Sequence, residues 1–276
     1  MTKHLNHLFI HATLLFLFTL LLFPVVVMFS TSLQTFENIF SWPPDWIPAN
    51  PQWVNYFNVW FGDYQFSLPF FNSLFISTFT AVITIVLAFP AAYALTRFTF
   101  FGQNALLFIV LVTQMFSPIV LIVGLYQLMQ AYNLLNTYTA IIITNCAFTL
   151  PMAVWLLHGY LKNVPVELEQ AASVDGCSRV KGIIKIIVPL SAPGISMASI
   201  YAFIMSWNDL LIPLIFISKS EMRPISLALT DFVGQNVIYW HEMMAASIIS
   251  TVPIAVMFSF VQKYFIKGFM SGAVKE

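Results

Sequence analysis

The sequence predicts an all-α, polytopic membrane protein with six transmembrane helices and both termini in the cytoplasm. Three observations predict it. The 276 residues are 59% hydrophobic and only 8% charged, with 28 phenylalanines beside 11 acidic and 11 basic residues. A soluble domain needs far more surface charge than this. Six segments carry the roughly 20 apolar residues that span a bilayer, and the cations fall unevenly between the stretches that join them.

The spans follow in order. Leu8 to Ser30 and Asn72 to Leu95 pass this test easily, and Ala105 to Met129 passes with Gln114, Ser117 and Pro118 inside it. Thr139 to Tyr160 contains Asn145 and Pro151. Val188 to Ile217 carries Pro189, Pro193, Pro213 and a single carboxylate, Asp209; Met243 to Phe265 has Pro253 near its middle. A seventh candidate, Asn55 to Phe71, is broken by Asp63, Gln65 and Pro69. The first span exceeds the 7–15 apolar residues of a signal peptide and contains Pro24, so it reads as a retained helix.

Orientation follows from lysine and arginine. With the N-terminus inside, the inner segments hold Lys3, Arg97, Lys162, Arg179, Lys181, Lys185, Lys263, Lys267 and Lys275, and the outer ones only Lys219 and Arg223. The flipped topology would invert that asymmetry. Cys146 in the fourth span and Cys177 in a cytoplasmic loop are too far apart in depth for a disulfide. His4, His7, His11, His158 and His241 are scattered without metal spacing, and His158 reads as an interfacial side chain. No glycine-rich phosphate loop is present.

Two outer segments exceed simple turns. Thr35 to Pro69 carries Trp42, Trp46, Trp53, Tyr56, Trp60 and Tyr64 among prolines. Such rings form a headgroup belt; an aromatic sugar platform is the alternative. Ser218 to His241 holds Arg223, Asp231, Gln235 and Asn236.

The most polar stretch is residues 164–189, Val-Pro-Val-Glu-Leu-Glu-Gln-Ala-Ala-Ser-Val-Asp-Gly onward. Pro165 suits a first helical turn, and Glu167 and Glu169 complement the positive end of the helix dipole. Leu168, Ala171 and Ala172 share one small apolar face. Asp175-Gly176 ends this helix, and Ser178 caps a second, basic one. The piece is either a rigid lever that another protein grips or an ordinary amphipathic interfacial helix.

This run resembles the EAA loop of ABC importer permeases: Gln170-Ala171-Ala172 stands for Glu-Ala-Ala, Gly176 follows at the expected spacing, and Ile186, Val188 and Pro189 close the pattern. Asn72-Ser73-Leu74, Ala91-Ala92-Tyr93-Ala94-Leu95 with Arg97-Phe98, Trp207-Asn208-Asp209 and the ending Lys267-Gly268 to Gly272-Ala273-Val274-Lys275 resemble the carbohydrate-uptake branch, in the manner of the smaller maltose-type permease subunit. The resemblance implies a type I importer permease fold in a bacterial inner membrane. It divides the chain into 1–71, a helix with an aromatic outer loop, and 72–276, the permease core with its coupling loop and cytoplasmic tail.

The resemblance further implies a second homologous permease, two cytoplasmic ATPases that bind ATP and Mg, an extracytoplasmic solute-binding protein and the lipid bilayer as partners, with no nucleic acid. The chain itself would be no enzyme and would bind no cofactor. Glu167, Glu169, Gln170, Ala171, Ala172, Asp175 and Gly176 take the ATPase-coupling role in that reading, and the tail is a further contact. Gln170 lacks the charge of the motif's glutamate, so either its amide or a shifted contact by Glu169 replaces an ion pair; Val188 stands where leucine is usual.

Polar residues in spans face cavities or neighbouring helices. Gln114, Ser117, Asn145, Asn208 and Asp209 are therefore candidates to line a pathway, with interhelical bonding the competing role. A non-sugar importer and an ion-coupled secondary transporter are the alternative functions. The latter would want several buried carboxylates and two similar halves.

Overall fold

The computed structural model describes residues 2–234 and 237–273. Within these, four single helices are long and apolar enough to cross a membrane: α1 (Thr2–Ser32), α3 (Ser67–Arg97), α6 (Tyr138–Leu161) and α13 (Trp240–Ala273). Two bent pairs supply the remaining apolar segments. Gln235, Asn236, Val274 and Lys275 of the expected outer segment and tail lie outside the described residues. The chain packs as two compact units, Met1–Leu68 with Ala228–Val252 and Pro69–Leu227 with Pro253–Glu276.

In the first unit, α1 is apolar from Phe9 to Ser32, and hydrogen bonds tie its C-terminal end to the segment that follows. Ser30 Oγ donates to the Trp46 carbonyl at 2.7 Å, and Asn55 Nδ2 donates to the carbonyls of Ser32 and Gln34, each at 2.9 Å. Asn55 lies on the short α2 (Val54–Phe61). The Asn55 bond to Ser32 satisfies one of the carbonyls that the end of α1 leaves open. The aromatic segment divides into two populations. Trp42 is 90% exposed, and Trp46 and Trp53 also face outward. Tyr56 and Tyr64 are built into the packing, with Ser32 Oγ 2.7 Å from the Tyr56 hydroxyl and the Tyr64 ring stacked on Phe232 at 4.2 Å. Burial, then the neighbouring Glu242 carboxylate, pushes the Tyr64 hydroxyl above its ordinary value.

The second unit is a helical bundle in which α10 (Ala192–Trp207) packs along α6, with α3 against both through shared cores. One core joins Ala88, Phe89 and Ala92 of α3 to Ala153, Leu157 and Leu161 of α6 and Ala198 of α10. A second gathers Ile76, Met129, Ile141, Cys146, Ile212 and Phe216. Between them runs a polar seam. Thr84 and Thr149 hydroxyls lie 3.0 Å apart, Asn145 Nδ2 donates to Ser206 Oγ at 3.1 Å, and Ser206 Oγ donates to Thr80 Oγ1 at 3.3 Å. Burying these groups unpaired would cost more than pairing them returns, so they fix the register of the three helices. His158, near the C-terminal end of α6, is buried against α3, with Nδ1 3.0 Å from Thr96 Oγ1.

Three features depart from the expected spans. Helix α3 begins at Ser67, because Pro69 falls in its first turn, where a missing N–H costs nothing. The expected third span is two helices, α4 (Gln103–Thr113) and α5 (Pro118–Ala131), at 93°. Pro118 forces Ser117 into an extended conformation, ψ 132°, and thereby breaks the helix. The expected fifth span is likewise bent by 75°, between a helical stretch Arg179–Leu190 and α10. That stretch comprises α8 (Arg179–Gly182), a π-helical turn at Ile183–Ile187 and α9 (Val188–Leu190). Pro189 and Pro193 flank the bend at Ser191 and remove two backbone donors there. Past α10 the chain breaks again and forms the short α11 (Leu211–Phe216) and α12 (Ile225–Ala228).

Gly194 sits where α10 crosses the Tyr160 side chain of α6. A Cβ there would lie 2.6 Å from Tyr160 Cγ and 2.9 Å from its Cβ. The obstructing atoms are the root of the ring, so the helices themselves must separate. Gly194→Ala should cost about 1–3 kcal/mol, read as a lower Tm of the purified protein in detergent; an unchanged Tm would contradict this packing.

Candidate functional site

Helix α7 (Glu167–Val174) lies outside every candidate span and carries two of the three acidic residues of the 164–189 loop, Glu167 and Glu169. Its termination follows the sequence. Gly176 adopts φ +76°, Cys177 N–H reaches the Ala172 carbonyl at 2.9 Å, and Gly176 N–H reaches that of Ser173 at 3.1 Å. This is a Schellman closure, in which glycine takes the left-handed conformation without steric penalty. Ser178 occupies the N-cap of α8 with extended backbone but makes no side-chain capping bond.

The inward face of α7 is Glu169 and Ala172, spaced three apart. Glu169 Oε1 accepts from Arg97 Nε at 2.6 Å and Oε2 from the Tyr93 hydroxyl at 2.6 Å. Arg97 Nη2 donates to the Val164 carbonyl at 2.8 Å. The side chains are 5% and 18% exposed for Arg97 and Glu169, so this is a largely desolvated, charge-assisted cluster. Arg179 of α8 adds a contact from the other arm of the loop, with its guanidinium carbon 4.4 Å from the centre of the Phe98 ring.

The outward face differs from the expected one. Ala172 is only 7% exposed and packs into the chain, so it does not share a free face with Ala171. The exposed apolar row is Leu168, Ala171 and Val174, the last 88% exposed, flanked by Glu167, Gln170 and Asp175. Of the two substitutes expected for the motif's glutamate, Glu169 is turned inward and committed to Arg97. Gln170 stays exposed and lines a groove of about 280 Å³ with Glu169, Ala172, Cys177, Ser178 and Arg179.

The pathway candidates fall at helix breaks and on the polar seam. Exposed Gln114 ends α4 and donates Nε2 to the Phe148 carbonyl at 3.1 Å; exposed Ser117 precedes α5. Asn145 is buried in the seam. Asn208 is exposed and bonds back to the Ile204 carbonyl at 3.0 Å. Asp209 Oδ1 accepts from the N–H groups of Leu211 and Ile212 at 3.1 and 3.4 Å, opening α11. Broken helices leave backbone groups unpaired, and polar side chains at the breaks satisfy them. Among the described residues no group of His, Cys, Asp or Glu could hold a metal ion.

Sequence reasoning missed two groups. One is the pair Tyr93 and Arg97 as partners of Glu169; an arginine closing an apolar helix needs a counter-charge, and that was the available signal. The other is at the opposite end of α3. Asn72 Nδ2 donates to the carbonyls of Glu221 and Arg223 at 2.8 and 3.0 Å, and the Tyr138 hydroxyl donates to Asn72 Oδ1 at 2.8 Å. Ser73 Oγ accepts from the Ile225 N–H at 2.7 Å.

Comparison with known proteins agrees with this architecture. Residues 84–270 match the family described as binding-protein-dependent transport system inner membrane component. The chain is 32% identical over 254 residues to the sulfoquinovosyl glycerol transport system permease protein SmoH of Agrobacterium fabrum, covering 92% of this chain and 89% of that one. It is 34% identical over 258 residues to the trehalose transport system permease protein SugB of Mycobacterium tuberculosis, covering 92% of each. In fold it is similar, with a TM-score of 0.79 at 22% identity over 95% of this chain and 98% of the other, to a chain of a bacterial ABC transporter involved in the import of the acidic polysaccharide alginate.

Proposed function

The chain belongs to the family of binding-protein-dependent transport system inner membrane components, and on that premise we propose that it is a permease subunit of an ATP-driven importer for a sugar or oligosaccharide. It forms half of a translocation pathway with a second, homologous permease, and a solute-binding protein delivers substrate from outside. Two ATPase subunits on the cytoplasmic side bind ATP and Mg and hydrolyse the nucleotide; this chain is no enzyme. Both termini and the 164–189 loop face the cytoplasm, consistent with the distribution of lysine and arginine.

In this reading Glu167, Gln170, Ala171 and Asp175, with Leu168 and Val174, form the surface that an ATPase grips. Ala172 and Gly176 shape the helix and its turn, and Glu169 holds it from behind. The observation that carries the reading is the apolar row Leu168, Ala171 and Val174, exposed on an otherwise polar helix outside the spans. An exposed valine and leucine aligned on one helix face gain by burial against a partner. The uncharged Gln170 amide on that face suits hydrogen bonding rather than an ion pair. The sugar assignment is supported by relatives named for carbohydrate transport that match nearly end to end. Gln114, Ser117, Asn145, Asn208 and Asp209 are proposed to border the pathway while also closing helix breaks.

The test is uptake by the whole complex in proteoliposomes. Accumulation of a labelled disaccharide should require ATP on the ATPase side and binding protein on the other. Uptake driven by a proton or sodium gradient without ATP would overturn the reading, and ATP-driven uptake of non-sugar solutes alone would overturn the carbohydrate assignment.

A further inference from the structure

Helix α3 is bonded at both ends to segments far from it in sequence. At its C-terminal end, Arg97 and Tyr93 saturate both oxygens of Glu169 on α7, and Arg97 also bonds the Val164 carbonyl where the loop leaves α6. At its N-terminal end, Asn72 and Ser73 bind three backbone groups of the 221–225 segment. Along the 31-residue helix, Asn72 and Arg97 stand about 38 Å apart at 1.5 Å per residue. The other arm of the loop is held differently. Arg179 of α8 lies over the ring of Phe98, just past α3, and also interacts with Tyr93, beside an apolar groove of about 320 Å³ lined in part by Phe89, Pro90, Ala94 and Ile183.

We propose that α3 is a strut and that Tyr93, Arg97 and Glu169 are positioning residues that clamp α7 to it, so that displacement of α7 is delivered through α3 to the 221–225 segment. The proposal rests on the reading of α7 as the ATPase-gripped helix. The physics is stiffness. A charge-assisted, largely desolvated cluster of three hydrogen bonds resists shear. A rigid helix tied at both ends moves as one body. Asn72 on α3 and Glu169 on α7 then belong to one mechanical path, although they make their bonds at opposite ends of α3.

The experiment uses the whole complex in proteoliposomes and reads three quantities per assembled complex: bound ATPase, ATP hydrolysis and uptake. Glu169→Gln and Asn72→Leu should each retain the ATPase and hydrolyse ATP within roughly twofold of the parent, while uptake per ATP falls roughly tenfold. Tyr93→Phe, which removes one bond and keeps the ring, should lose roughly threefold. The Glu169→Gln/Asn72→Leu double variant should be no worse than the poorer single, because one path is cut twice. Uptake and hydrolysis falling in equal proportion, or single defects that multiply in the double, would overturn the strut. Ala171→Arg separates this from the docking reading. If that variant keeps its ATPase, α7 is not the gripped helix; if it sheds the ATPase while Glu169→Gln transports normally, the strut alone fails.

Discussion

Arginine in place of Ala171 should strip the ATPase from the complex. Ala171 lies in the middle of the exposed row on α7, between Leu168 and Val174, and the chain itself leaves it uncovered. A partner that closes over Leu168 and Val174 must approach the Cβ of Ala171. An arginine there inserts a long side chain and a charge that the interface would have to desolvate without a counter-ion. The expected penalty is about 2–4 kcal/mol, roughly thirtyfold to a thousandfold in attachment. Co-purification of the ATPase with tagged permease measures it directly. Ala171→Ser, nearly equal in volume and uncharged, should keep the ATPase bound, so loss in both variants would point to misfolding instead.

Leucine in place of Arg97 should be the most damaging change to the folded chain. Arg97 is 5% exposed, and its removal leaves Glu169 with the Tyr93 hydroxyl alone and the Val164 carbonyl unpaired. Breaking one side of a buried pair costs about 3–5 kcal/mol. Glu169 retains 18% exposure, so water relieves part of this and the lower end is expected. Thermal unfolding of the purified permease should show the loss. Arg97→Leu with Glu169→Leu should recover a large part of it, because two apolar groups leave no orphaned charge. A single variant as stable as the parent would mean that the cluster does not form.

The two predictions concern opposite faces of one helix, and the sequence spoke clearly about only part of it. Pro165, the acidic first turn and Gly176 mark a helix and its end through local rules, and α7 with its left-handed Gly176 follows them. Local rules could not say which face looks inward. That was settled by Arg97 and Tyr93, 72 and 76 residues away, which draw Glu169 and therefore Ala172 toward α3. The same division holds in the spans. Composition and length located α1, α3, α6 and α13 because lipid demands long apolar runs. The bends of 93° and 75° lie in the conformations of Ser117 and Ser191, which hydropathy does not register. Of the seam of Thr80, Thr84, Asn145 and Thr149, only Asn145 stands out in the sequence, because threonine hydroxyls are common in apolar helices and carry no signal of their own. What the seam joins depends on Ser206 of α10.

The account stands on α7 as the surface that the ATPase grips, and a photo-crosslinking side chain at Val174 tests it most directly. Val174 is 88% exposed at the end of the apolar row. Irradiation of the assembled complex should join the permease to the ATPase from position 174, and the adduct should vanish in the Ala171→Arg background. An ATPase adduct absent from position 174, in a complex that co-purifies and hydrolyses ATP normally, would contradict it.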